Sequence, residues 1–158
     1  MTYACKKSGL INRTLLGIVF HCLLVMVIQP ASAATFIVNS LNDTNDGICN
    51  AANCTLREAI IAANGSPGAD TILFNQSGTI SLASSLPGIF SAGGALTIDG
   101  TGQNITVSGA DLYRPFFIET GTNLTLIKLA VRNGYGISGG GIYNRGTVTL
   151  QTELPPVE

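Results

Sequence analysis

Short apolar triplets separated by polar corners dominate the chain. "LTI" (residues 96–98), "ITV" (105–107), "LTL" (124–126), "LAV" (129–131) and "VTL" (148–150) each set two aliphatics around a smaller middle residue. Period-two alternation sends the flanking pair to one face and the middle residue to the other. Gly, Asn and Asp fill the intervals, as sharp corners require. Strands this short make a poor open sheet, since sandwich strands commonly run to about 5–6 residues.

The triplets sit inside longer segments that align with one another: "TIDGTGQNITV" (97–107), "FIETGTNLTL" (117–126) and "IYNRGTVTL" (142–150). In that alignment Ile98, Ile118 and Ile142 are equivalent, and so are Val107, Leu126 and Leu150. The interval of about 20 to 24 residues is that of one solenoid coil, so equivalent strands should stack in parallel. The predicted inward residues are Leu96, Ile98, Ile105, Val107, Phe116, Ile118, Leu124, Leu126, Ile142, Val148 and Leu150. Thr106, Thr125 and Thr149 share the outward middle position, a ladder able to order water or ice. Threonine is also simply a good strand residue. A β-sandwich with one helix is the competing architecture.

One segment follows a different period. In "CNAANCTLREAIIAAN" (49–64), Leu56, Ala59, Ile60 and Ala63 form an apolar stripe at helical spacing. Thr55 and Glu58 fit a capping box, and Asn64-Gly65 with Pro67 supplies the stop. About ten residues of helix are unstable alone in water, so the stripe must lie on something apolar. The open end of a solenoid, with its unpaired strand edge, needs such a cover. "TFIVNS" (35–40) and "DTILF" (70–74) are the strands expected beside it.

The first residues read as an export signal. Lys6, Lys7 and Arg13 precede an apolar run from Leu15 to Ile28, and Ala31-Ser32-Ala33 offers a cleavage site. A membrane anchor is the alternative, and the run is short for a span of about 20 residues. Removal leaves Cys49 and Cys54, for which a structural disulfide is the first reading in an oxidising compartment. Reactive, metal-binding or free thiols are the alternatives. "NDTNDGIC" (42–49) invites comparison with a calcium loop, but its spacing fits Asx turns better.

Composition narrows the chemistry. His21, the only histidine, lies in the signal, which removes histidine-dependent triads and zinc sites from the exported chain. The cations beyond residue 33 are Arg57, Arg114, Lys128, Arg132 and Arg145; they are scattered, so no nucleic-acid patch forms. No metal or cofactor is indicated, and no membrane span remains after signal removal.

"CTLREAIIAAN" resembles the CSLREA motif of secreted bacterial proteins, with Thr55 in place of the usual Ser. "DGIC", "GADTILF" and "GGGIYNRGTVTL" follow in the same order, so the likeness runs from Thr35 to about Leu150. "GGGIYN" is similar in style to the repeats of polymorphic outer-membrane proteins. The resemblance implies a right-handed parallel β-helix of the pectin-lyase-like kind, in exported or surface-anchored proteins. The expected organisation is a signal at 1–33, a cap with disulfide loop and helix at 34–68, coils at 69–150 and a non-repeat tail at 151–158. The repeats stop at "QTELPPVE", which reads as a truncated product or fragment.

Polysaccharide lyases and glycoside hydrolases, common on such folds, need paired carboxylates or a carboxylate-bound metal with a base. The acids on the coils are Asp99, Asp111 and Glu119, and the alignment stacks Asp99 on Glu119 one coil apart. Neither lies in a longer catalytic motif, and solvated turn carboxylates are the plainer reading. Tyr113, Tyr135 and Tyr143 could form a sugar-stacking strip. The first expectation is an exported structural or adhesive module without catalytic activity, with polysaccharide or cell-surface glycans as partners. A polysaccharide-active enzyme and a bare carbohydrate-binding scaffold are the alternatives.

Overall fold

The computed structural model describes residues 32–90 and 94–152. All but the last two residues of the expected signal, and the tail after Thr152, lie outside the described residues. Ten strands and one helix follow in order: β1 (Thr35–Val38), α1 (Leu56–Gly65), β2 (Asp70–Phe74), β3 (Gly78–Ser81), β4 (Leu96–Asp99), β5 (Ile105–Ser108), β6 (Phe116–Ile118), β7 (Asn123–Ile127), β8 (Leu129–Arg132), β9 (Ile142–Asn144) and β10 (Thr147–Gln151).

Every strand pairing is parallel. The strands form three sheets: β1-β2-β4-β7-β10, β3-β5-β8 and β6-β9, the last extended by a bridge from Ile89 to Ile118. The chain therefore visits each sheet once per winding, a β-solenoid of about three turns. Alternation sets the burial. Ile72, Ile98 and Leu126 lie in one buried column of the five-stranded sheet, and Ile80 and Val107 start a second column. Phe116, Ile118 and Ile89 close the third side.

The sequence alignment placed most inward residues correctly but misjudged the winding. Ile98 lies opposite Leu126, not Ile118, and Val107 lies opposite Val131, not Leu126. Leu126 does pair with Leu150, as expected. The windings run about 24 to 28 residues, from Ile72 to Ile98, Leu126 and Leu150. Each winding carries up to two strands with the same apolar–small–apolar pattern, so the alignment could slide by one strand without losing a match. The threonine ladder shifts accordingly. Thr106 pairs with Thr79 and Ala130 in the three-stranded sheet. Thr125 and Thr149 instead end a column that runs Thr35, Thr71, Thr97, Thr125, Thr149 across all five strands of the large sheet.

A second correction concerns the end. Leu150 was expected inside but is 62% exposed, while Ile142 and Val148 are only partly buried. Among the described residues, nothing stacks beyond β10. Leu126, Leu129, Val131, Ile142 and Leu150 there line an open groove of about 180 Å³.

α1 packs against β1 and β2, at the other end of the strand order. Leu56, Ala59, Ile60 and Ala63 join Val38 and Ile72 in one core. Burying a Leu or Ile side chain contributes roughly 1.5–3 kcal/mol, which outweighs the weak intrinsic stability of a ten-residue helix. The helix starts where expected. The Glu58 N–H donates to the Thr55 hydroxyl at 3.2 Å, and the Thr55 N–H donates to Glu58 Oε2 at 2.8 Å. At its end the Ser66 N–H donates to the Ala63 carbonyl, and Pro67 follows.

Candidate functional site

The densest polar cluster surrounds the "CTLRE" segment, and each of its side chains is engaged internally. Cys54 is disulfide-bonded to Cys49. The Thr55 hydroxyl also donates to the Thr44 carbonyl at 2.9 Å. Glu58 is buried, and its Oε1 accepts the Asp46 N–H at 2.7 Å. Arg57 Nε and Nη2 donate to Asp43 Oδ1 and Oδ2 at 3.0 and 2.7 Å, a two-pronged ion pair with little exposure on either side. Its Nη1 and Nη2 also donate to the Ser85 and Ser84 carbonyls, each at 2.8 Å. Asp43 Oδ2 accepts the Ala83 N–H in turn. Helix, upstream loop and the strand-to-corner segment after β3 are thus tied through one guanidinium. These groups are committed to holding the fold together.

The loop at 42–53 folds as Asx turns. The Gly47, Ile48 and Ala52 N–H groups donate to the side chains of Asn45, Asp46 and Asn50. The Ile48 N–H, with the Asn53 side-chain amide as second donor, lowers the Asp46 pKa below the usual carboxylate range. Among the described residues, no group of three or more His, Cys, Asp or Glu side chains could hold a metal ion.

The three coil acids lie apart. Asp99 ends β4 on the outer face of the large sheet, beside Ile127, and accepts the Thr101 N–H. Asp111 is exposed in a corner, with φ of 60°. Glu119 directly follows β6 and faces Arg145 at 3.6 Å, both half exposed. The expected stack of Asp99 on Glu119 does not form, because β4 pairs with β7 and β6 with β9.

The tyrosines also separate. Tyr113 is partly buried against the core, and Tyr135 is exposed. Tyr143 is the one in a stack, and its partner is Phe117, with ring centroids 5.2 Å apart and planes at 19°. Arg114 lies over the Tyr143 ring at 4.9 Å, held by carbonyls of Ser138 and Gly139. Sequence reading missed Phe117. Its outward place in "FFI" was visible, but its pairing with Tyr143 depends on the winding register.

The outer face of the third sheet therefore gathers two aromatic rings, a carboxylate and two guanidiniums. The large sheet instead presents the threonine column beside Ile37, Leu73, Asp99, Ile127 and Gln151. The protein is a parallel β-solenoid with one short helix, a motif engaged in structure and a mixed aromatic and charged outer surface. No family model, curated protein or solved structure matches the chain. Among the described residues, no helix is long and apolar enough to cross a membrane.

Proposed function

We propose that this chain is an exported, non-catalytic structural or adhesive module that holds glycans at or outside the cell surface. Its coils turn right-handedly, and α1 covers their N-terminal end. The observation that carries the reading is the dispersal of the acids: Asp99 lies on the outer face of the large sheet, Asp111 in the corner after β5, and Glu119 directly after β6 of the third sheet. Hydrolysis of a glycosidic bond by the usual route needs two carboxyl groups about 5 to 9.5 Å apart across the sugar. The export signal, the disulfide and the resemblance to CSLREA proteins support the location. The aromatic and charged face supports glycan contact.

The test pairs turnover with binding. The protein is incubated with neutral and acidic polysaccharides while new reducing ends and unsaturated products are measured. Retention on the same insoluble polymers is measured in parallel. Retention without product is expected. Product release that disappears in Asp99→Asn or Glu119→Gln would establish an enzyme instead.

A further inference from the structure

The third sheet carries a gap in its outer column. Ile89 bridges to Ile118, and Ile118 pairs with Asn144, so Gly88, Phe117 and Tyr143 occupy the same outward position on successive windings. Two positions along, the column is Phe90, Glu119 and Arg145. Tyr143 is covered by Phe117 and Arg114. On its other side the next residue in the column is glycine, so among the described residues no side chain of that column covers Phe117. A Cβ built at Gly88 would stand 3.5 Å from Phe117 Cδ1 and 3.9 Å from both Cγ and Oε1 of Glu119. A side chain at that position would lie beside an aromatic ring and a carboxylate oxygen together.

Backbone conformation does not demand glycine there, since Gly88 has no positive φ, and the contacts a side chain would make are ordinary ones. The floor of the gap is fixed. Asn64 on α1 is buried, donates to the Gly88 carbonyl at 2.8 Å and accepts the Phe90 N–H at 3.1 Å. Phe90 itself stands 53% exposed at the next outward position. Oε2 of Glu119 faces Arg145 at 3.6 Å, which leaves Oε1 toward the gap.

Resting on the glycan-holding reading above, we propose that the gap over Gly88 is a subsite for one uncharged pyranose ring of a neutral polysaccharide. The ring's C–H face lies on Phe117, as aromatic faces favour, with Phe90 at its side. Its hydroxyls donate to Glu119, an ionised acceptor whose hydrogen bonds are the stronger kind. A sugar carrying its own carboxylate is disfavoured, because it would bring a like charge to Glu119.

Gly88→Leu fills the gap and leaves Phe117, Glu119 and the fold in place. The probes are soluble neutral polymers of three kinds (a β-glucan, a galactomannan and a xylan) and polygalacturonate, each cast into native gels. Retardation of the wild type by at least one neutral polymer is expected, with none by polygalacturonate. Gly88→Leu should weaken that retardation about tenfold, with an unchanged unfolding midpoint. Glu119→Gln, which keeps an acceptor, should retain more of it than Glu119→Ala. Equal retardation of wild type and Gly88→Leu overturns the subsite and leaves the module reading standing. Stronger retardation by polygalacturonate, or none by any neutral polymer, also overturns it. Self-association that Gly88→Leu abolishes would reassign the gap to a second copy. Polymer cleavage by the wild type would instead defeat the non-catalytic reading, whatever Gly88→Leu does.

Discussion

Removing Asp43 should be among the most destabilising single changes on the surface side of this molecule. Its side chain is 3% exposed, and that of Arg57 11%. Asp43→Ala deletes both prongs of the ion pair and the acceptor for the Ala83 N–H. Arg57 keeps the Ser84 and Ser85 carbonyls but loses its ion-pair partner. Breaking a buried pair by deleting one partner costs about 3–5 kcal/mol, mostly through the charge left behind. A domain of this size commonly has about 5–15 kcal/mol in total, so the variant should unfold at far lower urea. Glu119→Ala supplies the internal control. Its ion pair with Arg145 is longer and half exposed, and such pairs contribute about 0–1 kcal/mol. Urea titrations followed by far-ultraviolet circular dichroism compare the two, and Arg57→Met with Asp43→Leu should regain part of the loss. If Asp43→Ala and Glu119→Ala shift the midpoint equally, the guanidinium is not the tie described above.

Other expectations concern the helix, the disulfide, the acid range and the open end. Thr55→Ala should cost about 1–2 kcal/mol and Thr55→Ser much less, because the cap needs only the hydroxyl oxygen; urea midpoints decide it. Joint replacement of Cys49 and Cys54 by Ser should lower stability by about 2 kcal/mol, the loop being short, and a loss above twice that would refute the chain-entropy argument. The folded pKa of Asp46 lies below its unfolded value, so its contribution is complete above about pH 4 and is lost as pH falls through the folded pKa. Asp46→Asn should therefore flatten the fall in urea midpoint between neutral and acid pH. Leu150→Lys should leave the midpoint unchanged but reduce aggregation measured by light scattering, whereas Ile98→Ala, in the same column but fully buried, should cost about 2–5 kcal/mol.

What could be read from sequence was whatever is settled within a dozen residues. The capping box, the helix stripe and the disulfide partners are local, and the structure has each. The in-or-out sense of the triplets is local too, and burial follows it except in "VTL", where nothing among the described residues stacks beyond β10 and Leu150 stays exposed. The winding register is not local. "LTI", "LTL" and "VTL" look alike, and so do "ITV" and "LAV", which belong to a different sheet. Corner length decides which strands meet, and corners as different as residues 109–115 and 133–141 leave little trace in an alternation pattern. The same limit hid the clamp. Arg57 was visible in the helix, but its need for Asp43 and for the carbonyls after β3 depends on how three separated segments converge. The gap over Gly88 was hidden twice, first by the register and then because a glycine in a polar corner draws no notice.

The contrast between sheets argues where recognition belongs. On the large sheet one outer column is threonine on all five strands, and cross-strand threonine pairs stabilise a sheet by their own contacts. Repetition of that kind needs no ligand to explain it. The third sheet breaks the repetition at every step: glycine, phenylalanine and tyrosine in one column, phenylalanine, glutamate and arginine in the next. A ladder built for stability alone would place a side chain at Gly88, where there is room and no backbone demand for its absence. The interior is nearly uniform from winding to winding, so differences in what the windings touch must come from outward positions. On the third sheet those positions change chemistry on every winding, and there an aromatic ring and a carboxylate flank a position that carries no side chain.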